Sequence, residues 1–144
     1  MTEWIPPKAD GLTGDAYPSE QIEAFVDDLG DARVSGVYAL TCSQPERFKT
    51  AADRFQDAFD APAPGWLTAG YAAENALYVG AARDVLGRIE DHAAGRKTAA
   101  FLQVFPPHSI WDVWLIDDVD RAFERESMIA TELNNVTDVY AHQR

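Results

Sequence analysis

Two short apolar segments each place a tyrosine two residues from a glycine, Gly36-Val37-Tyr38 and Tyr78-Val79-Gly80. Strand alternation puts the tyrosine and the glycine of each segment on one face, and a bare glycine leaves room above a sheet for another group to approach. The plainer alternative is a cross-strand aromatic patch in the core. Ten residues after Tyr78 comes Arg88, and His92 lies four further on. These i, i+4 neighbours lie at the edge of the stripe formed by Val85, Leu86, Ile89 and Ala93, away from Arg83, Glu90 and Asp91. An Arg–His pair there usually covers apolar surface with its stem or caps the helix. The third position is Glu126, which falls among Val119, Ala122, Phe123, Ile129, Ala130 and Leu133 on the apolar face of the last helix. A carboxylate among core positions is costly unless paired or metal-bound, so it reads either as a buried partner of Arg88 or as a cation ligand.

The elements that must carry these residues can be read from periodicity and punctuation. Residues 1–17 hold Pro6-Pro7 and no periodicity, and read as an arm. Ser19 caps a helix over about 20–29, stopped by Gly30. Residues 33–42 read as a strand, and Ser43-Gln44-Pro45-Glu46 as a capping box opening a helix to Phe59. The apolar face of that helix is Phe48, Ala52, Phe55 and Phe59, and the run Ala61-Pro62-Ala63-Pro64-Gly65 interrupts regular structure after it. A second strand spans 76–81, a helix 83–94 ends at Gly95, and a short helix near 98–104 ends at Pro106-Pro107. Ile110 to Ile116 form the third strand, where Trp111 and Trp114 read as packing residues. Asp117 or Asp118 caps the final helix, and that acidic start is ordinary for a helix N-terminus. His108 and the tail residue His142 lack ligand spacing.

At 144 residues the chain is one domain. With 47% apolar residues it can fill a core. The start lacks a basic and apolar leader, and no apolar run is long enough to span a bilayer. The one cysteine, Cys42, permits neither an internal disulfide nor a Cys-rich zinc site, so the expected setting is the cytoplasm, with no membrane partner. The net charge is −12, which taken alone argues against nucleic acid. The 15 Asp against 9 Glu, the 9 Arg against 3 Lys and the 23 Ala resemble the composition of halophilic, acidic archaeal proteins. In molar salt a Debye length of about 3 Å screens such charge.

The ordered set Gly36-Val37-Tyr38, Tyr78-Val79-Gly80, Arg88 with His92, and Glu126 with Asn134 eight residues later resembles the GIY-YIG nuclease domain over residues 34 to 135. The resemblance implies a mixed α/β (α+β) domain: a small, three-stranded, mainly antiparallel sheet flanked by helices. That domain would span 33–135, between an N-terminal arm and helix (1–32) and a C-terminal tail (136–144). It implies a magnesium- or manganese-dependent DNA endonuclease. Glu126 would hold the single cation, Tyr78 would serve as general base, Tyr38 would position water or phosphate, Arg88 would stabilise the scissile phosphate and His92 would assist proton transfer. Asn134 would support the fold or the site. Two departures stand out: 39 residues separate Tyr38 from Tyr78, giving a helical insertion at about 43–75, and Ala81 stands where some members carry lysine. The alternative is a catalytically weak or inactive interaction module, for instance an accessory protein of a virus or mobile element, with a protein partner docked on the insertion.

Overall fold

A computed structural model of the chain describes residues 3–4, 35–96, 99–116, 118–136 and 138–143. The helix expected at about 20–29 lies outside the described residues. The order of elements is β1 (Glu3–Trp4), β2 (Gly36–Cys42), α1 (Phe48–Phe59), α2 (Gly65–Ala72), β3 (Asn75–Ala82), α3 (Val85–Ala93), α4 (Ala100–Val104), β4 (Pro107–Ile116), α5 (Val119–Asn134) and β5 (Val139–Gln143). The chain is therefore mixed α/β, as expected, but among the described residues the sheet has five strands, not three, in the order β1-β4-β2-β3-β5. Three of its pairings are antiparallel, and β5 joins β3 in parallel. Both added strands come from segments with little strand signal. β1 is only two residues long, and β5 interleaves Tyr140 and His142 with Ala141 and Gln143 in a polar tail.

Strand alternation divides the interior into two layers. Tyr38, Leu40, Cys42, Ala76 and Tyr78 face a cluster with Phe55, Leu67, Leu86, Ile89, Phe101 and Phe105, contributed by α1 to α4 and the turn after α4. Val37, Ala39, Leu77, Val79 and Ala81 face the other way and meet Ala122, Ile129 and Ala130 of α5 together with Ala141 of β5. The sheet is thus covered by four helices on one face and by α5 on the other, the arrangement that buries both faces of a strand.

Several local signals resolve differently from their sequence reading. The Ser43–Glu46 box does not cap α1, whose N-cap is Arg47 with no side-chain hydrogen bond. Ser43 N–H instead donates to Pro106 O, and Gln44 Nε2 donates to the carbonyls of Gly70 and Ala73 at the end of α2, each at 2.6 Å. The segment is a tertiary clasp, because the orphan carbonyls at a helix end compete for the same polar side chains. α2 was not expected after the Ala-Pro run; Pro64, in an extended conformation, sits at its N-cap, where proline is tolerated. β4 begins at Pro107 instead of Ile110, and proline is compatible with the first residue of a strand. Trp111 and Trp114 pack half-buried against the α5-side cluster. Gly95, at φ +76°, supplies the left-handed turn that ends α3.

Candidate functional site

The two tyrosines do come together, inside the protein. Tyr38 lies opposite Gly80 and Leu40 opposite Tyr78 in the β2–β3 ladder, so both rings rise from the same face with centroids 6.4 Å apart. Each is 1% exposed. The space above Gly80 is taken by Tyr38 itself: a Cβ on Gly80 would fall 2.6 Å from Tyr38 Cζ and nearer still to its Oη. The glycine therefore admits a side chain of the partner strand and leaves no opening for a ligand. Gly36 is buried opposite Ala82 and Leu115.

α3 lays His92 on this pair. Val85, Leu86 and Ile89 turn the helix's apolar stripe to the sheet, and Asp84 caps its start by accepting from Gly87 N–H at 3.1 Å. His92 is 1% exposed, and its Nε2 lies 2.8 Å from Tyr38 Oη. Burial first, and then the Arg88 guanidinium, push the imidazole down from its ordinary 6.5 to about 4, against an opposing pull from Asp91. His92 is therefore a neutral hydrogen-bonding partner of Tyr38 near neutral pH.

Arg88, one turn earlier, points to the surface. It lines an open cavity of about 460 Å³ with Asp84, Glu90, Asp91 and Arg96. Asp91 pairs with Arg96 at 3.0 Å and with Arg88 at 3.9 Å. The helix edge thus carries His92 into the interior and leaves Arg88 partly exposed at the rim of the cavity.

Glu126 is buried at 4%, as its place on the apolar face of α5 requires. It lies across the sheet from the tyrosines, since α5 packs on the Val37, Ala39 and Val79 face. Gln143 Nε2, on β5, donates to Glu126 Oε2 at 3.3 Å and to Ser127 Oγ at 2.8 Å. Among the described residues, the core cluster of Tyr38, Tyr78 and the apolar stripe of α3 lies on one face of the sheet, and the apolar face of α5, on which Glu126 sits, lies on the other. Asn134 has a clear structural task. Its Oδ1 accepts from Ala141 N–H at 2.8 Å and its Nδ2 donates to Ala141 O at 2.9 Å. The carboxamide pairs with the strand as another strand's backbone would, satisfying the outer edge of β5.

The residue that sequence reasoning passed over is His142. Its ring stacks on Phe101 with centroids 4.5 Å and planes 6° apart, meets Trp66 at 5.5 Å, and its Nδ1 lies 3.1 Å from Tyr140 Oη. A histidine in a polar tail carries no periodicity to mark it; only the pairing of β5 with β3 brings it inward.

The magnesium or manganese expected at Glu126 does not fit the residues present. Magnesium keeps several waters and an octahedral shell, held by one or two carboxylates in an open site. Glu126 is enclosed and accepts from an amide, and among the described residues no three His, Cys, Asp or Glu side chains are grouped as metal ligands. In comparisons with known proteins, no family model matches this chain, and neither a curated protein nor a solved structure gives a significant match. Among the described residues, no helix is long and apolar enough to cross a membrane.

Proposed function

We propose that this chain is a non-hydrolytic interaction module built on a GIY-YIG-like order of strands and helices. The observation that supports it is the division of the expected catalytic set by the sheet, with Tyr38, Tyr78 and His92 each 1% exposed on one side and Glu126 4% exposed on the other. Phosphodiester hydrolysis needs an activated water, a charge-neutralising group and a leaving-group donor within reach of one phosphate. Here the Tyr38 phenol is held by His92, and both tyrosine rings lie within the core.

The docking face is the 43–75 insertion, where Phe48 and Phe59 of α1 remain 39% and 37% exposed. The partner is a protein, consistent with the −12 charge. Phe48→Ser is expected to abolish capture of that partner while leaving the melting temperature within about 2 °C, as for a surface substitution. Phe55 is unsuitable for this purpose, since it is 9% exposed and packs on Phe59 and Trp66. A Phe48→Ser protein that keeps its partner overturns the docking assignment.

A second reading, the metal-dependent DNA endonuclease, draws on Arg88 at the rim of an open cavity. The two readings separate in one experiment. A cation bound at 100 times its dissociation constant adds about 2.7 kcal/mol of stability, or roughly 8 °C for a chain of this size. The interaction module shows no such rise with Mg²⁺ or Mn²⁺ and no nicking of duplex, branched or damaged DNA from low to molar salt. A rise that disappears in Glu126→Gln, together with metal-dependent nicking, establishes the endonuclease.

A further inference from the structure

Two imidazoles, His92 buried and His142 half-buried, share one tyrosine. His92 lies against Tyr38 Oη, and its ring is 5.4 Å from that of Tyr78. His142 lies 6.3 Å from the same Tyr78 ring on a plane inclined by 24°, with Phe101 flat against it. The rings Tyr38, His92, Tyr78, His142 and Phe101 run as one layer across the sheet face, joining β2, α3, β3, β5 and α4. Trp66 extends the layer to α2. The titratable and charged neighbours of His92 include Tyr38 of β2, Tyr78 of β3, and Arg88 and Asp91 of its own helix. Those of His142 include Tyr78 of β3 and Tyr140 of its own strand, while α2 and α4 present Trp66 and Phe101.

We propose that His92 and His142 form an acid-operated latch, whose protonation releases α3 and the C-terminal strand β5 from the sheet together and opens the tyrosine face. An imidazolium at His92 would lose its hydration inside the aromatic layer, and one at the half-buried His142 would lose part of it. Burial lowers the His142 pKa as it does that of His92. For a group held below its unfolded value, the open form binds more protons at any pH under about 6.5. The closed state is therefore complete above that pH and is lost progressively as pH falls toward the folded values, about 4 for His92. The two events are coupled because each histidine packs on Tyr78. Displacing either one frees the Tyr78 ring on which the other packs.

The test tracks the imidazole resonances of His92 and His142 in the full chain by NMR, with near-ultraviolet circular dichroism, from about pH 7.5 to about 3.5 at fixed salt. Urea unfolding is measured at each pH. Both imidazoles are expected to resist protonation below their ordinary range and then to take up protons in the same step that erases the aromatic signal. Each proton taken up on opening changes the unfolding constant by about tenfold per pH unit. His142→Phe, which preserves the stack on Phe101 but takes no proton, should therefore flatten the slope below about pH 6, by at most about tenfold per unit. The proposal is overturned if either histidine protonates near its ordinary pKa with the aromatic signal intact, if the two show separate midpoints, or if the slope is unchanged in His142→Phe. If that variant does not fold, the wild-type titration decides alone.

Discussion

Gly80→Ala is expected to destabilise the fold by about 3 kcal/mol, the upper end of the range for overpacking a filled core. The added methyl would lie 2.6 Å from Tyr38 Cζ and 3.1 Å from its Cε2. Ordinary relief, a small movement of the neighbour, is closed off. Tyr38 is 1% exposed, its hydroxyl is engaged with His92, and β2 is paired on both sides. Urea unfolding measures the loss. The decisive comparison uses Tyr38→Leu, which removes Oη, Cζ and Cε2. In that background Gly80→Ala should cost less than about 1 kcal/mol, a coupling of about 2 kcal/mol between directly contacting residues. Equal costs in both backgrounds would show that the glycine serves something other than the tyrosine, such as access for a ligand.

The second large effect belongs to Asn134. Asn134→Ala leaves the N–H and C=O of Ala141 without their partners, and Ala141 is 4% exposed. A buried backbone group stripped of its hydrogen bond costs about 1–3 kcal/mol, so the expected loss is about 2–4 kcal/mol. The loss should also be local. Amide exchange within Val139–Gln143 should accelerate more than in β2, because β5 holds the sheet through β3 alone. Asn134→Asp keeps the acceptor for Ala141 N–H but removes the donor to its carbonyl. It also places a negative charge on the last residue of α5, where the helix dipole disfavours one. It should recover less than half of the lost stability. Uniform exchange across the sheet in Asn134→Ala would contradict the assignment of this carboxamide to the strand edge.

These two residues show what a motif reading can and cannot carry. Tyrosine and glycine at alternating positions do share a face, and the register confirms their proximity, with Tyr38 directly opposite Gly80. What alternation cannot say is which group fills the space over the glycine. That depends on the lean of one ring and on the helix pressing upon it. Asn134 likewise stands where a supporting role is expected, but its partner belongs to a strand from the polar tail. The same tail hides His142, whose inward position depends on a parallel pairing with no local signature.

Glu126 marks the boundary most clearly. The 3.6-residue period of α5 placed it among buried positions, and it is buried. The strands at 36–42, 75–82 and 107–116 and the helices at 48–59, 85–93, 100–104 and 119–134 were likewise legible, to within a few residues, from alternation, apolar stripes and stop signals. All of these are local properties, decided by side-chain spacing along one element. Periodicity says that a helix face is covered; it does not say which side of the sheet covers it. That choice is made by chain crossover and by the packing of both layers at once. It sets α3, with Arg88 and His92, on one face and α5, with Glu126, on the other. The amino-acid sequence by itself determined most of the elements and the burial of Glu126. The tertiary structure decided on which face of the sheet each of them lies, because chain crossover and the packing of both layers, not spacing along one element, make that choice.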